Sequence, residues 1–305
     1  MNYIKDTLDF HIKEPSAVSL GKFDGLHLGH QYLIRELEKG REQGYKSVIF
    51  TFDVPPRSLE ETDCKVLLTN REKEQIFDDA GIDAVIECPF TETLKSMSPR
   101  EFLKMLTEKI PVRMIVAGTD FRFGKNRSGG PDELRQYAQE FGYRAVIVDK
   151  IQYEGEDISS TRIRSCIADG RMEEANTLLG YPYFLCAAVL HGNEIGRKLG
   201  FPTVNQRPEE QKLLPPNGVY VSSVTVDGER YYGLTNIGQK PTVGGGYPTG
   251  AETFIFDFDR EIYGQEIQVG FLKYLRPERK FPSMEDLQRQ IEEDRKAAQN
   301  YIGRL

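Results

Sequence analysis

Half of the chain's four histidines fall in one glycine-rich segment, VSLGKFDGLHLGHQ at residues 18–31. His27 and His30 are three residues apart, so in a first helical turn their side chains would face the same side. The glycines would let backbone N–H groups approach an anion at the N-terminus of the following helix. The pattern predicts a phosphate cradle in which both imidazoles contact phosphate oxygens or stabilise charge that develops on them. A glycine-rich turn with two hydrogen-bonded surface histidines would also explain it.

A second segment, ISSTRIR at residues 158–164, combines hydroxyl groups with guanidinium groups. Ser159, Ser160 and Thr161 can cap a helix, and Arg162 and Arg164 would then project near its positive end. Such a set of donors suits a polyphosphate. A capped helix with solvated arginines is the structural alternative.

A third segment, AGTDFRFGKNRSGG at residues 117–130, is close to a P-loop without satisfying its pattern. Five residues separate its first two glycines, and an Asn stands where Ser or Thr would bind Mg²⁺, so no Walker site is predicted. Phe121 and Phe123, beside Asp120 and Arg122, could instead grip a flat ring and its charged tail. The end of a strand explains the same residues.

The elements that must position these segments change character along the chain. Up to about residue 150, short apolar runs such as SAVSL alternate with amphipathic runs such as QYLIRELEKG. This alternation predicts an α/β domain with a parallel sheet covered by helices. Ligands of such sheets sit at the carboxyl ends of the strands, where the glycine-rich segment would fall. No G-x-G-x-x-G fingerprint supports a dinucleotide-binding site.

After residue 180 the apolar runs are β-rich and separated by turn residues, which predicts an antiparallel barrel or sandwich. Asp227-Gly228 is a type I′ hairpin signal between two of these runs. A short helix ending at Gly180 would precede the barrel, so we place the domains at residues 1–180 and 181–305. Ser283 would cap a terminal helix packed on the barrel. The face of that helix toward the barrel would carry Met284, Leu287, Ile291, Ala298 and Tyr301.

Composition excludes several classes of protein. The chain has 305 residues, 39% of them hydrophobic, and a net charge of -7, which disfavours a nucleic-acid partner. Its four cysteines lack C-x-x-C spacing, so neither a zinc site nor a disulfide framework is indicated. No signal peptide and no membrane-spanning run is predicted. We expect a cytoplasmic protein, a monomer or weak homo-oligomer, whose partners are small molecules.

The motifs together carry a resemblance to a known family. GKFDGLHLGH, TFDVPP, GTDFRFGKNRSGG and ISSTRIR, followed by HGNEIGRKLGFPTVN, GVY, NIGQKPT and DFDREIYG, resemble the bacterial bifunctional riboflavin kinase/FMN adenylyltransferase (FAD synthetase) family. The match is in order and spans nearly the whole chain. It implies a nucleotidylyltransferase-like N-terminal domain that makes FAD from FMN and ATP. It also implies a C-terminal flavokinase-like barrel that makes FMN from riboflavin and ATP, with Mg²⁺ as the metal cofactor.

The resemblance also implies residue roles. In the N-terminal domain, His27 and His30 would be catalytic and contact the ATP phosphates. In the C-terminal domain, Glu252, at the start of a strand, would take the proton of the ribityl 5′-hydroxyl, and Thr203 and Asn205 would bind Mg²⁺. The remaining nucleotide- or flavin-binding positions would be Gly21, Phe23, Asp24, Gly25, Gly29, Asp120, Phe121, Arg122, Ser160, Thr161, Arg162, Arg164, Gly192, Gly196, Arg197, Gly200 and Pro202.

Three places depart from the family pattern, and one of them is Asn193-Glu194, where an acidic-basic pair is more common. The family often has Pro-His-Pro where this chain reads Asp53-Val54-Pro55-Pro56, so a histidine near the adenylyl-transfer site is missing. Phe254 stands where a polar residue is frequent. The alternatives to a bifunctional enzyme are a riboflavin kinase with a degenerate N-terminal module and a non-enzymatic flavin sensor. Binding alone would need no base at Glu252, which argues against the sensor.

Overall fold

The computed structural model describes residues 1–52, 65–191, 200–239 and 249–305. Asp53 to Pro56, Gly192, Asn193, Glu194, Gly196 and Arg197 therefore lie outside the described residues. Contacts divide the chain into two units, Met1–Ser160 and Thr161–Leu305. The domain boundary near residue 181 stays a prediction.

The first unit is built on a six-stranded parallel sheet with the strand order β1-β4-β3-β2-β5-β6. Strands β2 and β4 are buried along their whole length, as expected of a parallel sheet with helices on both faces. The strands are β1 Asn2–Lys5, β2 Ser16–Leu20, β3 Lys46–Phe52, β4 Ala84–Cys88, β5 Val112–Gly118 and β6 Arg144–Val148.

The helices of this unit follow the strands and begin at recognisable caps. Thr69 and Ser98 each form a capping box with a glutamate three residues later, which fixes where two of the helices begin. The helices are α1 Leu28–Arg41, α2 Asn70–Asp79, α3 Glu92–Ser96, α4 Pro99–Lys109 and α5 Pro131–Phe141, and a small hairpin, β7 Gln152–Tyr153 with β8 Glu156–Asp157, follows.

The second unit is a closed antiparallel barrel with the order β10-β13-β12-β11-β14-β9. Helix α6, Ser160–Ala168, begins at the division between the units, and α7, Met172–Leu179, ends at Gly180 in the left-handed conformation. The strands are β9 Phe184–Leu190, β10 Thr203–Gln206, β11 Gly218–Val226, β12 Glu229–Gln239, β13 Thr249–Ile255 and β14 Glu266–Arg276, and the terminal helix is α8 Met284–Ile302.

Helix α8 covers one part of the outer face of the barrel. Ala298 packs in a cluster with Phe256 and Leu272. Arg276, at the end of β14, makes a bidentate ion pair with the buried Asp294 of α8, with N···O distances of 2.7 to 3.0 Å. The predicted packing of a terminal helix on the barrel is therefore confirmed, and so is the fold class.

The Asp227-Gly228 turn joins β11 to β12 with φ of 50° and 81°, as a type I′ turn requires. Met284 is 47% exposed, so its predicted place on the buried face of the terminal helix is wrong. Glu252 lies in the middle of β13 rather than at the start of a strand. Strand β1, helix α3 and the β7–β8 hairpin were not foreseen.

Candidate active sites

The glycine-rich segment forms the turn between β2 and α1, at the carboxyl edge of the parallel sheet. His27 is the N-cap residue of α1, with an extended backbone. Gly25 has φ of +82°, and a Cβ added there would lie 2.6 Å from Cδ1 of Leu67. A side chain at this position would therefore be excluded by both backbone conformation and space.

The two histidines of the turn lie against each other. Their rings stack with centroids 3.8 Å apart and an interplanar angle of 22°, and Phe23 packs on His30 at 5.2 Å. The Nδ1 atoms of His27 and His30 are inaccessible to solvent and have no hydrogen-bond partner among the described residues. Buried polar atoms are nearly always bonded, so two adjacent exceptions mark this turn as a candidate functional position.

Burial controls the charge of this pair. It lowers the pKa of His27 to about 4, and the nearby carboxylate of Asp120 opposes the shift. Burial also holds the pKa of His30 well below its usual range, and the neighbouring His27 adds to this. Both imidazoles are thus neutral at pH 7, and each has one N–H to donate.

Hydrogen bonds of Asp24 and Ser160 stabilise the turn. The Asp24 carboxylate accepts hydrogen bonds from the backbone N–H groups of Leu67 and Leu68, at 3.0 and 3.4 Å. The Ser160 hydroxyl donates to the carbonyl oxygen of Asp24 at 2.8 Å. Gly21 and Gly29 lie close to the rings of the turn, because an added Cβ would meet Phe23 at 3.2 Å and His27 at 3.1 Å, respectively.

The loop after β5 brings aromatic and charged residues to the same edge of the sheet. Phe121 and Phe123 stack with centroids 5.5 Å apart, and Phe123 is buried whereas Phe121 is partly exposed. Arg122 donates to the carbonyl oxygen of Phe121 at 2.7 Å. Asp120 pairs with Lys150 at 3.5 Å. Phe121 is therefore the more exposed of the two rings.

The rest of ISSTRIR lies in the second unit. Thr161 is exposed, and Arg164 is half-buried. Arg162 donates to Glu174 of α7 at 3.2 Å. Helix α7 is in turn fixed to the barrel, because the Asn176 side chain bonds Phe271 and Tyr183 backbone groups at 2.9 and 2.7 Å.

The predicted kinase residues share one face of the barrel. Asn205 of β10 lies directly opposite Glu252 of β13, and Thr203 lies opposite Phe254. Directly opposed residues of an antiparallel pair point to the same face, with Cβ atoms about 5 Å apart. The structure therefore brings Thr203, Asn205 and Glu252 together. Phe254 packs against Phe201 with centroids 5.3 Å apart, so the departure at this position makes an aromatic contact.

A pocket of about 390 Å³ opens beside β10. Pro202, Thr203 and Asn205 form part of its wall, and residues 258–263 form another part. At its rim the ring of Tyr263 stacks on His191 at 3.8 Å. Gly200 has φ of +84°, so the chain turns sharply just before this wall. The two predicted metal-binding residues therefore line this pocket.

Sequence reasoning missed two polar residues near Glu252. Asn236 of β12 lies opposite Glu252 on its other side, and its amide donates to Glu278 at 2.9 Å. Neither residue belongs to a spacing pattern that would have identified it. Their proximity depends on barrel register, which joins residues far apart in sequence.

The candidate ligands of a metal ion on the barrel are neutral oxygen donors. Within residues 1–52, 65–191, 200–239 and 249–305, no group of three His, Cys, Asp or Glu side chains could hold one. The Thr203 hydroxyl and the Asn205 amide are neutral oxygen donors, which fit Mg²⁺ when phosphate oxygens supply the charge. No helix of the described part of the chain is long and apolar enough to cross a membrane.

Two family models match the chain, one in each half. The FAD synthetase model matches residues 9–162, and the riboflavin kinase model matches residues 179–302. The first range contains His27 and His30, and the second contains Thr203, Asn205 and Glu252.

Similar proteins match over nearly the full length. A bifunctional riboflavin kinase/FMN adenylyltransferase of Listeria monocytogenes is 36% identical over 293 residues, which are 95% of this chain and 93% of that protein. The protein of the same description from Bacillus subtilis is 36% identical over 300 residues, with 95% and 93% coverage. A crystal structure described as a macrolide-efflux protein from Streptococcus pneumoniae is 33% identical, with a TM-score of 0.86 over 98% of both chains.

Proposed function

Since the chain belongs to the family of bacterial bifunctional riboflavin kinases/FMN adenylyltransferases, we propose that its two reactions divide between the two sites described above. The enzyme phosphorylates riboflavin to FMN with ATP and adenylylates FMN to FAD with a second ATP. Both family models and the bifunctional relatives disfavour the kinase-only alternative. We assign adenylyl transfer to residues 1–180 and riboflavin phosphorylation to residues 181–305.

Adenylyl transfer is proposed at the turn of His27 and His30. The FMN phosphate is already an adequate nucleophile at pH 7, so it attacks the α-phosphorus of ATP and pyrophosphate leaves. No covalent intermediate is needed, and the protein contributes alignment and charge stabilisation. The observation that carries this assignment is the stacked pair of neutral imidazoles with two unpartnered, buried nitrogen atoms.

The flavin side of this reaction is proposed at the loop after β5. Phe121 would contact the isoalloxazine ring, with Asp120 and Arg122 beside it. Gly21, Phe23, Asp24, Gly25 and Gly29 would shape the phosphate cradle. For Ser160, Thr161, Arg162 and Arg164, the proposal of ATP binding rests on the ISSTRIR motif alone.

Riboflavin phosphorylation is proposed on the barrel face that carries Glu252. The ribityl 5′-hydroxyl is a poor nucleophile, so Glu252 would accept its proton as the γ-phosphoryl group is transferred and ADP leaves. Thr203 and Asn205 would hold Mg²⁺, which when bound neutralises charge on the phosphates. Gly200 and Pro202 would shape the nucleotide loop. The direct register of Asn205 with Glu252 supports this assignment.

We infer a cytoplasmic enzyme that acts as a monomer or weak homo-oligomer. We also infer that it has no nucleic-acid partner, because the net charge of -7 opposes binding to phosphate backbones.

A time course of flavins tests the assignment of residues. Purified protein is incubated with riboflavin, ATP and Mg²⁺, and riboflavin, FMN and FAD are separated by chromatography. Glu252→Ala is expected to abolish FMN formation while FMN supplied directly is still converted to FAD. His30→Ala is expected to do the reverse. Loss of both activities in a folded Glu252→Ala variant would contradict independent sites, and full FAD output from His30→Ala would remove His30 from the catalytic residues.

A further inference from the structure

A row of polar residues crosses three adjacent strands of the barrel. Asn205, Glu252 and Asn236 lie opposite one another on β10, β13 and β12. Phe254 and Phe256 lie two and four residues after Glu252, so their side chains are on the same face of the sheet. Both pack in the cluster under α8. The row therefore lies on the outer face of the barrel.

Glu278 reaches this row from the segment after β14. Its Oε1 atom accepts a hydrogen bond from the Asn236 amide at 2.9 Å. Gly238 lies two residues along the same face of β12, and a Cβ added there would come within 2.6 Å of Cδ of Glu278. The carboxylate thus lies over bare backbone and is oriented by an amide, one strand away from Glu252.

We propose that Glu278 is a further riboflavin-contacting residue, which accepts a hydrogen bond from a hydroxyl of the ribityl chain and so aligns the 5′-hydroxyl with Glu252. The proposal rests on the proposed role of Glu252 as the base. Asn236 is a positioning residue, because it acts through Glu278.

The chemistry of the substrate favours such a contact. The ribityl chain is a flexible polyol, and one base at its end does not fix the direction from which the 5′-hydroxyl approaches. Neighbouring strands lie about 4.8 Å apart, a distance that a few carbon–carbon bonds of the chain span. A second acceptor on the next strand reduces the number of chain conformations and holds the reactive hydroxyl in place.

The structural alternative is that Glu278 only anchors the segment after β14. Substitution of Glu278 distinguishes anchoring of this segment from contact with the ribityl chain if binding is measured for two flavins. Lumiflavin carries the isoalloxazine ring without the ribityl chain. A contact with the chain affects riboflavin alone, whereas a displaced segment affects both flavins.

The experiment compares Glu278→Ala and Glu278→Gln with the exposed control Glu285→Gln in the full chain. Quenching of flavin fluorescence gives the Kd of riboflavin and of lumiflavin, and steady-state assays give kcat and KM for riboflavin. Loss of a hydrogen bond to a charged group predicts a riboflavin Kd and KM about 10-fold to 100-fold higher for Glu278→Ala. Glu278→Gln keeps an acceptor for Asn236 and is expected to show a smaller increase. Lumiflavin affinity and conversion of FMN to FAD are expected to stay unchanged.

Gly238→Ala provides an independent route to the same state, because its Cβ would displace the carboxylate of an otherwise intact Glu278. Gly238→Ala is expected to raise the Kd of riboflavin and to leave the Kd of lumiflavin unchanged. Equal weakening of both flavins, or an unchanged riboflavin Kd in Glu278→Ala, would overturn the proposal. If Glu252→Ala retained kinase activity, the base would be reassigned, and the comparison of the two flavins would still decide whether Glu278 contacts the ribityl chain.

Discussion

Acidification from pH 7 to pH 5 is expected to destabilise the first unit through its buried histidines. An unfolded imidazole takes up a proton below about pH 6.5, whereas burial lowers the pKa of folded His27 to about 4. Between these values the unfolded state binds more protons, so the free energy of unfolding falls as the pH falls. The loss begins near pH 6.5 and is complete near pH 4.

The size of the effect follows from the same two values. A solution at pH 5 is about 1.5 units below the pKa of the unfolded imidazole, and each unit of this difference changes the free energy of unfolding by about 1.36 kcal/mol. His27 alone therefore removes about 2 kcal/mol of stability between pH 7 and pH 5. The lowered pKa of His30 acts in the same direction.

A double difference isolates His27 from the many carboxylates that also titrate. Wild-type protein and His27→Gln are equilibrated in urea at both pH values, and a short deuterium pulse at one common pH reports the folded fraction of peptides from β2 and β5. Between pH 7 and pH 5 the free energy of unfolding of His27→Gln should fall by about 2 kcal/mol less than that of wild type. The control His11→Gln should show the same fall as wild type.

NMR of ¹³C-labelled histidines checks the cause directly, since the chain has four histidines. The His27 resonance is expected to titrate near pH 4. Equal losses in wild type and His27→Gln, or a His27 resonance that titrates near pH 6.5, would refute the argument from burial.

Three further substitutions test the packing of the sites. Gly25→Ala should destabilise the first unit by about 1–3 kcal/mol more than Gly44→Ala, because both residues have positive φ but only a Cβ at Gly25 would clash, with Leu67 at 2.6 Å; equal urea midpoints would contradict this clash. Asp294→Ala should cost the barrel about 3 kcal/mol or more by leaving Arg276 without its carboxylate partner; thermal unfolding beside the exposed control Glu293→Ala measures this, and equal melting temperatures would show that the pair contributes little. Ser160→Ala should cost about 1 kcal/mol and lower FAD formation without changing FMN formation; unaltered FAD kinetics would show that the turn does not need this hydrogen bond.

Local patterns in the sequence predicted the elements well. SAVSL corresponds to β2, and GVYVSSVTV corresponds to β11, because period and turn residues are short-range signals. The spacing of His27 and His30 likewise predicted that their side chains lie together, which the stacked rings confirm.

Features that depend on long-range register were not predictable from the same patterns. Strand β10, Thr203–Gln206, pairs with β13, which is far away in the sequence. Glu252, Asn236 and Glu278 approach one another only when the barrel closes, and no local period records that closure. Burial of the histidine pair, which sets its charge, is also a result of packing by Phe23 and its neighbours.

The seam at which the barrel closes is short. Among the described residues, β9 and β10 pair through Asn205 with Leu190 and Gln206 with Val189. The buried Gln206 side chain strengthens the seam by donating to the carbonyl oxygens of Ala187 and Ile267, at 2.8 and 2.9 Å. Local opening of a protein begins where few backbone hydrogen bonds must break. Opening of the barrel is therefore expected first between β9 and β10, and it would move the strand that carries Thr203 and Asn205.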